Sequence, residues 1–257
     1  EHSLEDQEPG GLSALARTLE QQNLTVEPVN LLERGDIPEE VTLVVITGPT
    51  RRFTDQEVGA LGTYLDDGGR LLAFLDPMTE TALEPLLERW GIVVGQDIVV
   101  DPANQLPFVS AANLFVTTYT QHPIVQKMST LMTLFPLARS IRPQQPPPEG
   151  VRVVPLALTS RHGWGETRVA ESTFEFAEGE DLNGPVPIAV AAEHLLADET
   201  AEAPEVGARL VVFGDSDFVV NGQLPNVGNR DLLLAASHWL LEEEQLIGIS
   251  PKPLESL

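Results

Sequence analysis

Short apolar runs that stop at turn residues, separated by stretches of helical spacing, constrain this chain's fold more than any other feature. Thr42 to Thr47 (TLVVIT) stops at Gly48-Pro49, Arg70 to Leu75 (RLLAFL) at Asp76-Pro77, and Ile92 to Val100 at Asp101-Pro102. The first two, apolar on successive residues, read as buried strands, and Ile92 to Val100 reads as another strand. Thr54 opens a helix with Thr-Asp-Gln-Glu, the spacing of a capping box; Val58, Leu61 and Leu65 form its stripe and Asp67-Gly68-Gly69 closes it. A further helix is predicted from about Glu80 to Trp90, with Leu83, Leu86, Leu87 and Trp90 inward. Upstream, Leu12, Leu15, Ala16 and Leu19 fall at helical spacing, and Leu24 to Val29 alternates as a strand would. Helices and strands that alternate through short connections predict a three-layer α/β fold around a mostly parallel sheet.

The rest of the chain is less regular. Leu31 to Pro38 is a polar connection. Leu131 to Ile141 and Val151 to Thr159 read as strands separated by the Pro143 to Pro148 loop. Residues 160–184 are polar, with Trp164 inside Gly163-Trp164-Gly165. Val186 to Ala192 is a predicted strand, Ala197 to Pro204 an acidic loop, and Arg209 to Phe213 a buried strand. Asn229 is placed to cap a last helix from about Arg230 to Glu243, with His238 on its polar side. The expectation is a single α/β domain over 1–257, with its core in about 11–120 and 150–245. The irregular middle covers about 121–204, and 246–257 is a C-terminal tail.

Charge removes one class of partner. Asp and Glu number 39 against 15 Lys and Arg, a net charge of −24. Such a surface repels phosphate backbones, so nucleic acid is not an expected partner. The absence of Cys excludes disulfides, thiolate metal sites and Cys nucleophiles. The uncharged stretch 102–126 mixes polar and apolar residues and falls short of the roughly 20 apolar residues of a spanning helix. Glu1 begins without Met or a signal-peptide pattern and reads as a cut end.

Candidate chemistry gathers at strand ends. Gly214-Asp215-Ser216-Asp217-Phe218 follows a buried strand, and carboxyl ends of strands are where open α/β sheets bind ligands. Asp215 and Asp217, spaced i and i+2, are weak candidates for a divalent cation; the same side chains commonly fix a turn by accepting backbone N–H groups. Asp76 and Asp101, each before Pro, would extend this acidic edge. That pattern keeps open a cation-dependent hydrolase, and Trp164 keeps open a glycan- or solute-binding platform. His2, His122, His162, His194 and His238 show no zinc spacing, Ser216 lacks the second Gly of a nucleophile elbow, and no glycine-rich phosphate loop occurs. No metal site, cofactor or catalytic set is therefore expected.

Several segments together resemble the gliding-motility auxiliary family, the GldG-like extracytoplasmic components of ABC-type transport systems. They are Leu43 to Pro49, Leu61 to Pro77, Leu87 to Asp101, Leu210 to Phe218 and Gly228 to Pro251. The resemblance implies a flavodoxin-like fold, similar to class I glutamine amidotransferases but without their Cys nucleophile. It also implies a periplasmic region between two membrane helices, working beside an ABC permease and ATPase, with sequence preceding Glu1 and a membrane helix following the tail. On the family's motif positions Asp215, Asp217, Asn229 and Arg230 form a polar cluster at the sheet edge. The expected function is thus non-catalytic binding or assembly on the extracytoplasmic face.

Overall fold

A computed structural model describes residues 3–106, 108–168, 174–196 and 205–242, and of Glu205 the backbone alone. The acidic loop 197–204 and the tail 246–257 lie outside the described residues, as does residue 243 of the last predicted helix.

Local sequence explains the first elements. Ser13–Glu20 (α1) buries Leu15 and Leu19. Asn30 accepts the Leu32 amide and starts the single turn Leu31–Arg34 (α2), ended by Gly35 at φ 84°. Val44–Thr47 (β1) precedes Asp55–Asp66 (α3), whose capping box is formed in both directions between Thr54 and Glu57. The Arg51 guanidinium and the Thr54 amide and hydroxyl hold the Glu57 carboxyl down to about 2, against its partial desolvation. Arg70–Phe74 (β2) and Glu84–Arg89 (α4) follow.

The main sheet has six strands. Beside β1 and β2 lie Thr118–Tyr119 (β6), Val151–Leu158 (β9), Pro187–Leu196 (β12) and Glu205–Phe213 (β13), in the order β1-β2-β13-β12-β9-β6. The pairs β1/β2 and β2/β13 are parallel; β13/β12, β12/β9 and β9/β6 are antiparallel. The expectation of a mostly parallel sheet therefore needs correction to a mixed one. The physical reason is that no described helix separates β9 from β12, and only residues 197–204 separate β12 from β13. Parallel neighbours need a crossover of a dozen or more residues, usually helical.

Ile92 to Val100 also departs from expectation. It forms two strands, Ile92–Val94 (β3) and Ile98–Val100 (β4), and neither joins the main sheet. Asp97 breaks the run by accepting both the amide and the hydroxyl of Ser140, each at 2.7 Å. β3 then pairs with Ile141–Pro143 (β8). β4 pairs with Trp164–Glu166 (β10), whose other neighbour is Leu182–Asn183 (β11). Leu114–Val116 (β5) pairs with Thr133–Phe135 (β7), so the predicted strand Leu131 to Ile141 is also split. Leu24 to Val29 forms no strand.

Side-chain alternation divides the core into two faces. Leu72 and Phe74 of β2, with Val211 and Phe213 of β13, meet α1 and the last helix, Asn229–Leu240 (α5). Leu71, Ala73, Leu210 and Val212 meet Leu61 and Leu65 of α3 and Leu86 and Leu87 of α4. Helices thus cover both faces of a mixed sheet. α5 is buried over nearly its whole circumference, so His238 has no polar side to occupy. It is 2% exposed, with Nε2 2.9 Å from Gln22 Oε1.

Candidate functional site at the strand tips

The ends of β2 and β13 bring Asp76 and the loop 214–219 together. Asp76 accepts the Ser216 amide at 2.6 Å and the Ser216 hydroxyl at 2.7 Å. Ser216 is fully buried, so its Oγ is held as a structural donor. Asp215 is 1% exposed and accepts from the Asp217 amide at 2.9 Å and, at 3.4 Å, from the Leu137 amide. Burial raises its carboxyl well above the usual carboxylate range, and the charges of Asp217 and Asp76 push it the same way. The Asp217 side chain, by contrast, is exposed. The two weak cation candidates therefore face different environments. Among the described residues no group of three or more His, Asp or Glu is arranged to hold a metal ion.

The other predicted residues divide between two neighbourhoods. Asn229 does not cap α5; Gly228 occupies that position. Its buried amide accepts from the Leu134 N–H and donates to the carbonyls of Leu134, Phe218 and Gln223, tying α5 to β7 and to the strand-tip loop. Arg230, one residue on, turns to Gln21 beyond α1, at 2.6 Å. Asp101 lies at the end of β4, where its oxygens accept from Ser160 N and Oγ at 2.7 Å each. Trp164 stands beside it on β10, 9% exposed, with its indole N–H directed to Glu166 and its ring against Phe176. This is a loop anchor; an indole so enclosed leaves little face for a sugar ring.

Two residues that the sequence reading passed over organise this edge. Arg139 is fully buried and donates Nε to the Gly95 carbonyl at 2.6 Å and Nη1 to the carbonyls of Asp76 and Thr79, both at 2.9 Å. Burial pulls its guanidinium below the usual value, while Glu84, Asp97 and Asp76 favour the charge. Asp97, as above, fixes Ser140 next to it. The available signal was a lone Arg within the otherwise uncharged stretch 128–141. Asp76–Ser216, Asp97–Ser140 and Asp101–Ser160 repeat one device: a carboxylate that accepts both the N–H and the O–H of a serine, locking a loop to a strand end.

Against this geometry the family comparison is decisive: the profile described as "ABC-type uncharacterized transport system" matches residues 2–236. The chain belongs to this family of ABC transport auxiliary proteins. Among other likenesses, the solved mmIFT52 N-terminal domain shares the fold with a TM-score of 0.64 at 20% identity, covering 90% of each chain. The Intraflagellar transport protein 52 homolog of Mus musculus is 39% identical over 64 residues, 23% of this chain and 15% of that protein. A putative ThuA-like protein from Bacteroides uniformis aligns at a TM-score of 0.46 and 14% identity, over 89% of this chain and 83% of that one. No helix among the described residues of this ABC transport auxiliary chain is long and apolar enough to cross a membrane.

The raised Asp215 carboxyl gives the site a testable pH signature. A group whose folded pKa exceeds its unfolded value stabilises fully below the unfolded pKa, near 4, and loses that contribution as pH rises through the folded one. Asp217→Asn removes one charge that pushes Asp215 up and leaves the Asp217 backbone donor in place. Its unfolding free energy from urea titration should match the parent's near pH 3 and exceed it only as pH rises through the titration of the folded Asp215 carboxyl.

Proposed function

We propose that this domain is a non-catalytic binding and assembly module on the extracytoplasmic face of an ABC-type transport system of the gliding-motility kind. It works beside the permease and ATPase and is held to the membrane by helices outside this sequence. Membership of the transport auxiliary family supports the association with transporter components.

One observation carries the non-catalytic part. Two of the side chains a strand-tip hydrolase would use are already committed: the Ser216 hydroxyl is buried against Asp76, and both oxygens of the buried Asp215 face backbone amides. A nucleophile or general base must reach the substrate, and these cannot do so without dismantling the loop. The test joins two measurements. Tagged full-length protein, extracted from membranes in mild detergent, should co-purify with the permease and ATPase. Mg²⁺, Ca²⁺ and Mn²⁺ should leave the melting temperature of the 257-residue chain unchanged. A cation-dependent rise that Asp217→Ala abolishes would overturn the reading in favour of a cation-dependent hydrolase.

A further inference from the structure

After β6 the chain makes a single turn, Pro123–Val125, entered through His122. So short a turn is held to the fold by side chains: Ile124 and Val125 are buried in the core face that meets α5. His122 caps the turn. Its carbonyl accepts the Val125 amide at 3.0 Å, and its ring Nδ1 accepts the Ile124 amide at 3.3 Å. An imidazole nitrogen accepts only while it carries no proton, so the side-chain cap exists in the neutral ring alone.

The surroundings impose the same condition. The His122 ring is 9% exposed and meets the Trp239 indole of α5 edge to face, with centroids 5.0 Å apart. That indole already carries a cation: the Arg209 guanidinium lies 4.6 Å from its centroid and donates to the Trp239 carbonyl at 2.5 Å. The attraction an aromatic face offers to a positive charge is thus taken.

The charged neighbours on the packed elements add to this. Arg152 of β9 and Arg209 of β13 both act on the ring, and the carboxylate near them, the buried Glu193 of β12, is shared between the two: it pairs with Arg152 Nη2 and lies 3.8 Å from Arg209 Nε. On α5, Arg230 turns to Gln21 and His238 to Gln22, while Asp231 stands roughly two turns of helix from Trp239. Lys127 follows two residues after the turn. Burial foremost, then the charges of Arg152 and Arg209, hold the imidazole down to about 4.

We propose that His122 is an acid-operated latch between the turn Pro123–Val125 and α5. Uptake of a proton occupies Nδ1, withdraws the cap from the Ile124 amide and sets a third positive charge beside Arg152 and Arg209. The turn then leaves α5 and uncovers Ile124 and Val125, while the main sheet keeps its pairing. A histidine whose folded pKa lies below its unfolded one stabilises fully above the unfolded value, 6.5, and loses that contribution as pH falls toward the folded one, about 4. The opening equilibrium therefore shifts toward the open form about 20-fold between pH 7 and pH 5. The latch is independent of the functional reading above.

Amide hydrogen exchange of the 257-residue chain at pH 7 and pH 5, corrected for intrinsic rates, decides it. Protection of the Ile124 and Val125 amides should fall about 20-fold at pH 5, and that of Leu72 and Val211 in the main sheet by less than about threefold. His122→Asn keeps an acceptor for the Ile124 amide but takes up no proton, and His122→Phe keeps a ring against Trp239. Both variants should lose the pH dependence at Ile124 and Val125, whatever their protection at pH 7. The carbon-bound ring protons of His122 should titrate with a midpoint near 4 by NMR. A midpoint at or above 6.5 would overturn the proposal, and so would acid loosening of the turn that survives in both variants. Loss of protection at Leu72 and Val211 in step with the turn would count against it equally, because acid would then unfold the domain as a whole.

Discussion

Arg139→Ala should lower the unfolding free energy by about 4 kcal/mol, the range of a buried charge network that loses one member. For a chain of this size that corresponds to a fall of about 10 °C in melting temperature. The carbonyls of Gly95, Asp76 and Thr79 converge on this one guanidinium and would be left without their donors inside the protein. Unsatisfied buried acceptors cost the full desolvation of the group, more than a made hydrogen bond returns. Arg139→Met restores volume without donors and should recover less than half of the loss. Arg139→Lys keeps a charge without the planar fork that spans separate carbonyls, and should fall between the two. Urea midpoints at pH 7 measure all three. A loss below about 1 kcal/mol in the alanine variant would show that the three carbonyls find other donors.

Arg139 also marks where sequence reading stops. β1, α3 and β2 were legible because their signals are local: a capping box needs only residues 54 to 57, and a doubly buried strand shows itself by its own apolar run. What failed depended on partners. Leu24 to Val29 alternates as a strand must, but alternation fixes a face and says nothing of a neighbour. Ile92 to Val100 carries Gly95-Gln96-Asp97 in its middle, a break that reading it as one strand passed over, and Ser140, over 40 residues away, shows what Asp97 holds there. Asn229 has the side chain of a helix cap, and the tertiary structure uses it instead to bind three carbonyls and one amide. At the strand tips the sequence located Asp76, Asp215 and Asp217 and offered turn-fixing as one of their two uses. The raised carboxyl of Asp215 and the serine clamp of Asp76 needed the three-dimensional arrangement, because both arise from elements far apart in the chain.

Gly214→Ala should be the most damaging small substitution in the strand-tip loop, costing about 4 kcal/mol. Gly214 N donates to Ile188 O at 2.9 Å and Gly214 O accepts from Arg139 N at 2.8 Å, so the residue is held by backbone on both sides. A Cβ there would lie 2.1 Å from the Arg139 carbonyl oxygen and 3.1 Å from its carbon. Neither atom belongs to a flexible side chain, so relief must come from separating β13 from the 138–140 segment, which in turn moves Arg139 off its three carbonyls. The glycine is required by close approach, since no left-handed φ occurs at this position. Gly59→Ala is the matched control. It lies within α3, a Cβ there meets nothing within 4 Å, and alanine should gain about 0.5 to 1 kcal/mol from helix propensity. Urea unfolding of the two variants should thus shift in opposite directions for the same added methyl. If Gly214→Ala unfolds at the parent's midpoint, the contact between the β13 tip and Arg139 does not hold the strand-tip edge together, and the anchoring role assigned to Arg139 falls with it.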